Sequence, residues 1–395
     1  MTKIVLEQTM APPRSTYVGG DAMAQRNRSP VAARYLDAGK ARDSLNIPGL
    51  DGLRAISILL VMISHSGLQS IVPGVFGVTI FFFISGFLIT WLLIEEHRTT
   101  DGISIKRFYL RRVLRLYPPL LIYVVAMSAI WAIRGFSLDY IGLLGALFYF
   151  ANYLYAISPE HVAVYGAHLW SLSVEEHFYL FFPLLFALGI GRNKTALGVL
   201  IAAALVIRLV ETYLGASETY TSVATECRYD SILAGCITAI LVNDRGAGRL
   251  VELIVHPATV VIALCAILST FVIRDSIFRQ TIRFTIQNIA LVPIVVSAVF
   301  TPRYLAVKTV LNWKPVAWIG VLSYSLYLWH YALFDLAKTV LGGAPATIQY
   351  GAGWLLAFCV AVAIYFLVER PMFKLRKMVG SRAHENIAGS PASNR

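Results

Sequence analysis

Two side chains in the first strongly apolar stretch of this chain could do chemistry together. The stretch opens Leu50-Asp51-Gly52-Leu53-Arg54, and ten residues separate Arg54 from His65. Eleven helical positions at 100° each make three full turns plus about 20°, so one helix face would carry both, about 16 Å apart along the axis. That face bears a fixed cation at one end and a titratable imidazole deeper in. Imidazole accepts a proton near neutral pH, which suits a general base acting on a hydroxyl, typically worth about 10²–10⁴ in rate.

Four further segments place ionisable groups in or beside apolar runs. In Lys106-Arg107-Phe108-Tyr109-Leu110-Arg111-Arg112-Val113-Leu114-Arg115, a helix would set Arg107, Arg111 and Arg115 on one side with Arg112 beside them. Guanidinium groups fork onto phosphates; the same cluster also suits an anchor to anionic lipid. His168-Leu169-Trp170-Ser171-Leu172-Ser173-Val174-Glu175-Glu176-His177 brings two adjacent carboxylates and two histidines to an apolar helix start. They could orient an imidazole or hold a sugar hydroxyl. Ser171 or Ser173 with an acidic first turn would equally cap the helix. Arg228-Tyr229-Asp230 reads as a local ion pair. Ser323-Tyr324-Ser325-Leu326-Tyr327-Leu328-Trp329-His330 sets Ser323 and His330 roughly on one face. Ionisable residues inside a span cost about 2.5–3.5 kcal/mol each, and are functional candidates for that reason.

The elements that must position these groups follow from composition. Of 395 residues 57% are hydrophobic and only 14% charged, against about 25% charged in ordinary soluble domains. That balance excludes a water-soluble globule and a disordered chain, and four cysteines are too few for a disulfide scaffold. What remains is an all-α polytopic membrane bundle. The cysteines (Cys227, Cys236, Cys265, Cys359) lack metal-ligand spacing, so they read as packing residues and no metal is expected. The net charge of +12 suits cytoplasmic loops of a membrane protein rather than nucleic-acid binding.

Apolar runs long enough to span occur near 51–71, 74–94, 117–134, 169–190, 195–215, 229–243, 257–273, 285–300, 315–336 and 348–368, ten in all. Loop charge decides the eleventh run, 138–156. If it does not cross, inside loops hold 18 Lys and Arg and outside loops 6; if it crosses, the counts become 11 and 13. The positive-inside rule therefore selects ten spans, both termini cytoplasmic, and 138–156 as a re-entrant or interfacial segment. Residues 1–46 read as a polar cytoplasmic tail, 47–371 as the membrane domain and 372–395 as a short basic tail, with no soluble catalytic domain at either end.

Taken in order, these segments resemble the acyltransferase 3 family of bacterial membrane proteins. The signs are Arg-x10-His (Arg54, His65), Phe-Phe-x-x-Gly-Phe-Leu after Ile80-Phe81 with Ser85 beside Gly86, Arg-Arg-x-x-Arg (Arg111, Arg112, Arg115), Trp-Ser-Leu-Ser-Val-Glu-Glu (170–176), Arg-x-Asp (Arg228, Asp230), Ser-Tyr-x-x-Tyr-Leu-x-His (323–330) and Glu-Arg-Pro (369–371). His177 stands where the family more often has Gln. The resemblance implies an inner-membrane O-acyltransferase that takes an acyl group, usually acetyl, from cytoplasmic acyl-CoA to a hydroxyl of a carbohydrate such as an exopolysaccharide or O-antigen. It further implies that Arg54 and His65 serve the transfer centre and that Arg111, Arg112 and Arg115 hold CoA. An acceptor would enter from the outer side near Glu175 and Glu176, with Trp170, Ser171, Arg228, Asp230, Tyr324 and His330 as substrate-binding candidates. The bilayer and a glycan are the expected partners. Two other readings share the buried polar residues: a transporter or flippase of an acyl or sugar-lipid carrier, and O-acylation of a small hydrophobic molecule such as a macrolide.

Overall fold

The protein is described by a computed structural model covering residues 47–100 and 102–376; the expected tail 1–46 and the second tail beyond 376 lie outside the described residues. The described chain is helical, and no strand occurs among its residues. In order the helices are α1 Leu50–Ile63, α2 Gly74–Thr100, α3 Ile105–Ile133, α4 Tyr140–Leu147, α5 Ala151–Ile157, α6 Trp170–Ala187, α7 Lys194–Tyr213, α8 Glu218–Val223 and α9 Thr225–Asn243. There follow α10 Gly248–Ile254, α11 Pro257–Val272, α12 Ser276–Gln280, α13 Ile282–Phe300, α14 Leu305–Leu311, α15 Lys314–Val340 and α16 Ala346–Ile364.

A long helix stands at each of the ten expected span positions, but fewer than ten are apolar enough to cross on composition. Six pass, and a seventh does if α10 and α11, bent by 56° at their junction, count as one span. The three that fall short are α6, α9 and α15. They carry Glu175 and Glu176, Arg228 and Asp230, and His330, so the polar groups that drew attention in the sequence are what lower their hydropathy. Helices at the centre of a bundle can be this polar because their neighbours, not lipid, surround them. The outer surface is apolar, as at Val125, Leu264, Leu268 and Leu355.

Close backbone approach builds that centre. Gly86 on α2 and Gly235 on α9 face each other's helix: a methyl on Gly86 would meet the Ile232 carbonyl, and one on Gly235 the Phe83 carbonyl. Small residues allow such contact where lipid offers no hydrophobic drive. Gly320 brings α15 against the Asp51 backbone of α1 in the same way. Thus α1, α2, α9 and α15 form the inner bundle, and α16 packs on α15.

The 138–156 run forms α4 and α5, helices of 8 and 7 residues joined around Tyr149, whose φ is 61°. Neither approaches the roughly 20 residues a crossing needs. Asp139 caps α4 by accepting from the Gly142 amide.

Candidate active site

The first span does not run straight to His65. The α-helical period of α1 stops at Ile63, and Ser64–Leu68 follow as a wider π-type turn with non-helical angles at Ser66 and Gly67. Single-turn widenings of this kind often mark functional positions. Trp354 on α16 donates to Ser66 Oγ at 2.7 Å and pins the turn. Gly67 has φ 85°, and a side chain there would press on Tyr350.

In this turn His65 meets His330 of α15: Nδ1 of one lies 2.8 Å from Nε2 of the other. The His330 ring fixes who donates. Its Nδ1 faces two carbonyl oxygens, Leu326 O at 3.1 Å and Tyr327 O at 2.9 Å, so that nitrogen carries the proton. In neutral His330 the Nε2 is then an acceptor, His65 Nδ1 donates to it, and the lone pair of His65 sits on Nε2. His168 adds a third imidazole, 5.3 Å from the His330 ring centroid, with Nε2 3.1 Å from the Leu328 carbonyl.

His65 lines a cavity of about 670 Å³ that also touches Ser64, Trp170, His168 and Tyr331. Arg54 opens into a different space. It lines a narrow cavity of about 80 Å³ with Arg112, Arg115, Glu175, Ser171 and Tyr324. Both side chains line interior cavities, but separate ones. Tyr327 is the residue common to both linings. Its hydroxyl donates to the His168 carbonyl at 2.6 Å and pairs with Ser171 Oγ at 2.7 Å, so it stands as a wall held by hydrogen bonds.

The arginine run divides. Arg112 lies 4.3 Å over the Tyr179 ring, and Tyr179 in turn pairs with Ser85 and donates to Glu175 at 3.3 Å. Arg112 and Arg115 face the narrow cavity. Arg111 turns away and pairs with Glu96 at 2.9 Å. Arg54 is 3.6 Å from Asp51. Tyr324 lines the same cavity and donates to the Leu116 carbonyl at 2.7 Å.

Glu175 is placed differently from expectation. It shares the arginine chamber rather than the His65 side, because five further residues of α6 carry it about 1.4 turns beyond Trp170. Glu176 has a buried Oε1 with no hydrogen-bond partner among the described residues. The local pair expected between Arg228 and Asp230 is also corrected. Asp230 binds Arg208 of α7 at 2.8 Å, both fully buried, while Arg228 bonds Thr79 at 2.9 Å and lies 3.9 Å over the Phe284 ring. On one helix they are only two positions apart and point to different neighbours. Neither lines either cavity.

Sequence reasoning passed over several residues of this assembly. Arg208 was detectable as a charge in the middle of an apolar span. Tyr327 and Tyr179 were not, since their roles depend on which helices meet. Glu369, within the Glu-Arg-Pro sign, accepts from Ser325.

The fold defines a polytopic helical membrane protein, with histidines and arginines lining two interior cavities. The chain belongs to the acyltransferase 3 family: the family's model, described as an acyltransferase domain, matches residues 47–370. It is similar to O-acetyltransferase OatA of Staphylococcus aureus, 31% identical over 354 residues, covering 83% of this chain and 57% of that protein. It is also similar to the putative peptidoglycan O-acetyltransferase YrhL of Bacillus subtilis, 26% identical over 352 residues, covering 82% and 55%. The chain thus spans a little over half the length of these curated relatives. No solved structure matches it.

Proposed function

We propose that the chain is a membrane O-acyltransferase of the bacterial inner membrane. It moves an acyl group, acetyl in the simplest case, from acyl-CoA on the Arg112 side to a carbohydrate hydroxyl in the His65 cavity. The observation that carries the reading is the pair of chambers meeting at Tyr327, one lined by three arginines and the other by an imidazole with its lone pair directed by His330. The charge balance of the loops supports a cytoplasmic placement of the arginine end and of both termini.

Arg112 and Arg115 would hold the phosphates of the donor as charge-assisted hydrogen-bond partners. The chamber of about 80 Å³ is too small for a nucleotide, which would stay at the arginine end with the acyl thioester directed inward. His65 Nε2 takes the proton of the acceptor hydroxyl as its oxygen bonds to the thioester carbonyl carbon. As the C–S bond breaks, the proton passes from His65 to the departing thiolate. Ser171 and Tyr327 supply the hydroxyl donors nearest the junction for the oxyanion. Transfer requires Tyr327 to leave its hydrogen bonds, because it closes the way between the chambers.

The test uses purified chain in nanodiscs with labelled acetyl-CoA and saccharide acceptors, comparing wild type with His65→Ala. Ester formation by wild type, lost in an equally well inserted variant, is the expected result. Full activity in His65→Ala sinks the proposal. Ester formation that depends on the donor also separates this reading from pure transport.

A further inference from the structure

The larger cavity carries a charge pattern that the transfer chemistry at His65 does not use. Arg274, Arg279, Arg283 and Lys338 all line it, and among its described lining residues Asp335 is the one carboxylate. Arg279 is already neutralised by Glu218 at 2.6 Å. The other three cations are held by different means. Arg283 lies 4.6 Å over the Phe284 ring, with its buried Nε hydrogen-bonded to nothing among the described residues. Lys338 Nζ lies 4.8 Å over the Tyr350 ring. Arg274 stands exposed in the loop just beyond α11. A ring face stabilises a cation without using its hydrogen-bond donors, so the donors remain available to a ligand. Gln287, on the same wall, spends its amide nitrogen on Thr270 at 3.0 Å and leaves Oε1 unpartnered.

The placement runs against the trend of the rest of the chain. The loops that the positive-inside reading sets outside contain only 6 Lys and Arg, and four of them line this one cavity. Cations on that side are not explained by topology. Arginine also offers the planar fork that fits a carboxylate or phosphate.

We infer that the occupant of this cavity is an acidic saccharide, bearing a carboxylate or a phosphate ester, and that Arg274, Arg283 and Lys338 receive its anionic group while His65 faces a hydroxyl. The inference rests on the acceptor side of the proposed function and names the acceptor's chemical class. It sets Arg274, Arg283 and Lys338 as specificity residues, since an acid group left without its cationic partners would be costly to bury.

Equilibrium binding of radiolabelled maltose, maltose 1-phosphate and a glucosyl-glucuronate disaccharide to the full chain in phosphatidylcholine nanodiscs tests this. A preference of about tenfold for either acid over maltose is expected, corresponding to about 1.4 kcal/mol. It should fall close to unity in the Arg283→Gln/Lys338→Gln double variant and persist in Lys338→Arg, which keeps the charge. Equal binding of all three sugars, or a preference that survives the double variant, overturns the inference. Nanodiscs containing phosphatidylglycerol form the second arm. Selectivity erased by that lipid means the cations serve a lipid headgroup, which also overturns it. Labelled acetyl-CoA in the same samples separates the two ideas. Charge-selective binding without ester formation removes the acyltransferase reading and leaves the acidic occupant standing. Ester formation without charge preference does the reverse.

Discussion

His65 and His330, 265 positions apart, are joined through Nδ1 and Nε2 at 2.8 Å, with ring planes only 6° from parallel. Because the Leu326 and Tyr327 carbonyls hold the proton on His330 Nδ1, a residue two turns beyond Ser323 settles which nitrogen of His65 is basic. His330 lines neither cavity, so it acts through His65. His330→Ala should lower kcat by about tenfold to a hundredfold with little change in acceptor KM, less than the about 10²–10⁴ lost with the base itself. His330→Gln, which can still accept from His65 Nδ1, should recover part of the loss. An unchanged kcat in His330→Ala, or a loss confined to KM, counts against the positioning role.

The same pairing predicts a pH profile. A protonated His65 has no lone pair, so kcat/KM should fall as acid is added and the imidazole gains a proton. Residual turnover in His65→Ala should lack that acid limb. A wild-type profile with no acid limb of this kind would remove His65 as the base.

The arginines should separate in their effects. Arg112→Ala and Arg115→Ala each should raise donor KM about tenfold or more, since a hydrogen bond to a charged group is worth about 1.5–3 kcal/mol. Arg111→Ala should leave donor KM nearly unchanged, because its partner is Glu96. Donor titrations at fixed acceptor distinguish the three. A rise for Arg111→Ala equal to the other two would show that the nucleotide reaches past Glu96.

A buried pair away from both cavities gives a stability prediction. Arg208 also bonds Thr285 Oγ1 at 2.8 Å and the Thr281 carbonyl at 3.1 Å, tying α7, α9 and α13 together. Asp230→Ala leaves the Arg208 charge buried without its counter-ion, a loss of about 3–5 kcal/mol. Thermal unfolding in detergent should show a large drop in midpoint. A midpoint within a degree or two of wild type would mean that the other acceptors suffice.

How far the sequence carried these conclusions depends on what each residue's role requires. Helix positions were readable because apolar runs mark them directly, and α4 and α5 were separated from true spans by loop charge alone. At α6, α9 and α15 the apolar signal is weakened by polar residues that face other helices. Arg54 and His65 line two different cavities: their common face was drawn for an unbroken helix, and the widened turn at Ser64–Leu68 is set by Trp354 and Tyr350 from α16. The partner of Asp230 lay on α7, not two residues away, because a one-dimensional pattern shows neighbours along a helix and not across a bundle. The three arginines of 274–283 stood out only once the cavity showed what they face.

Tyr327 gives the sharpest test of the two-chamber arrangement. Its hydroxyl bonds both the His168 carbonyl and Ser171, and its ring fills the boundary between the arginine and histidine chambers. Tyr327→Phe keeps the ring and loses the hydrogen bonds, worth about 0.5–1.5 kcal/mol each. The wall should then open more readily, while transfer slows for want of that hydroxyl as an oxyanion donor. Tyr327→Ala removes the wall itself. Water from the larger cavity could then reach the thioester, so acetyl-CoA hydrolysis without acceptor should rise while ester formation per donor consumed falls. Both are read from free thiol release and labelled ester in the same reaction. Tight coupling preserved in Tyr327→Ala would mean that the chambers are separated by something other than this side chain.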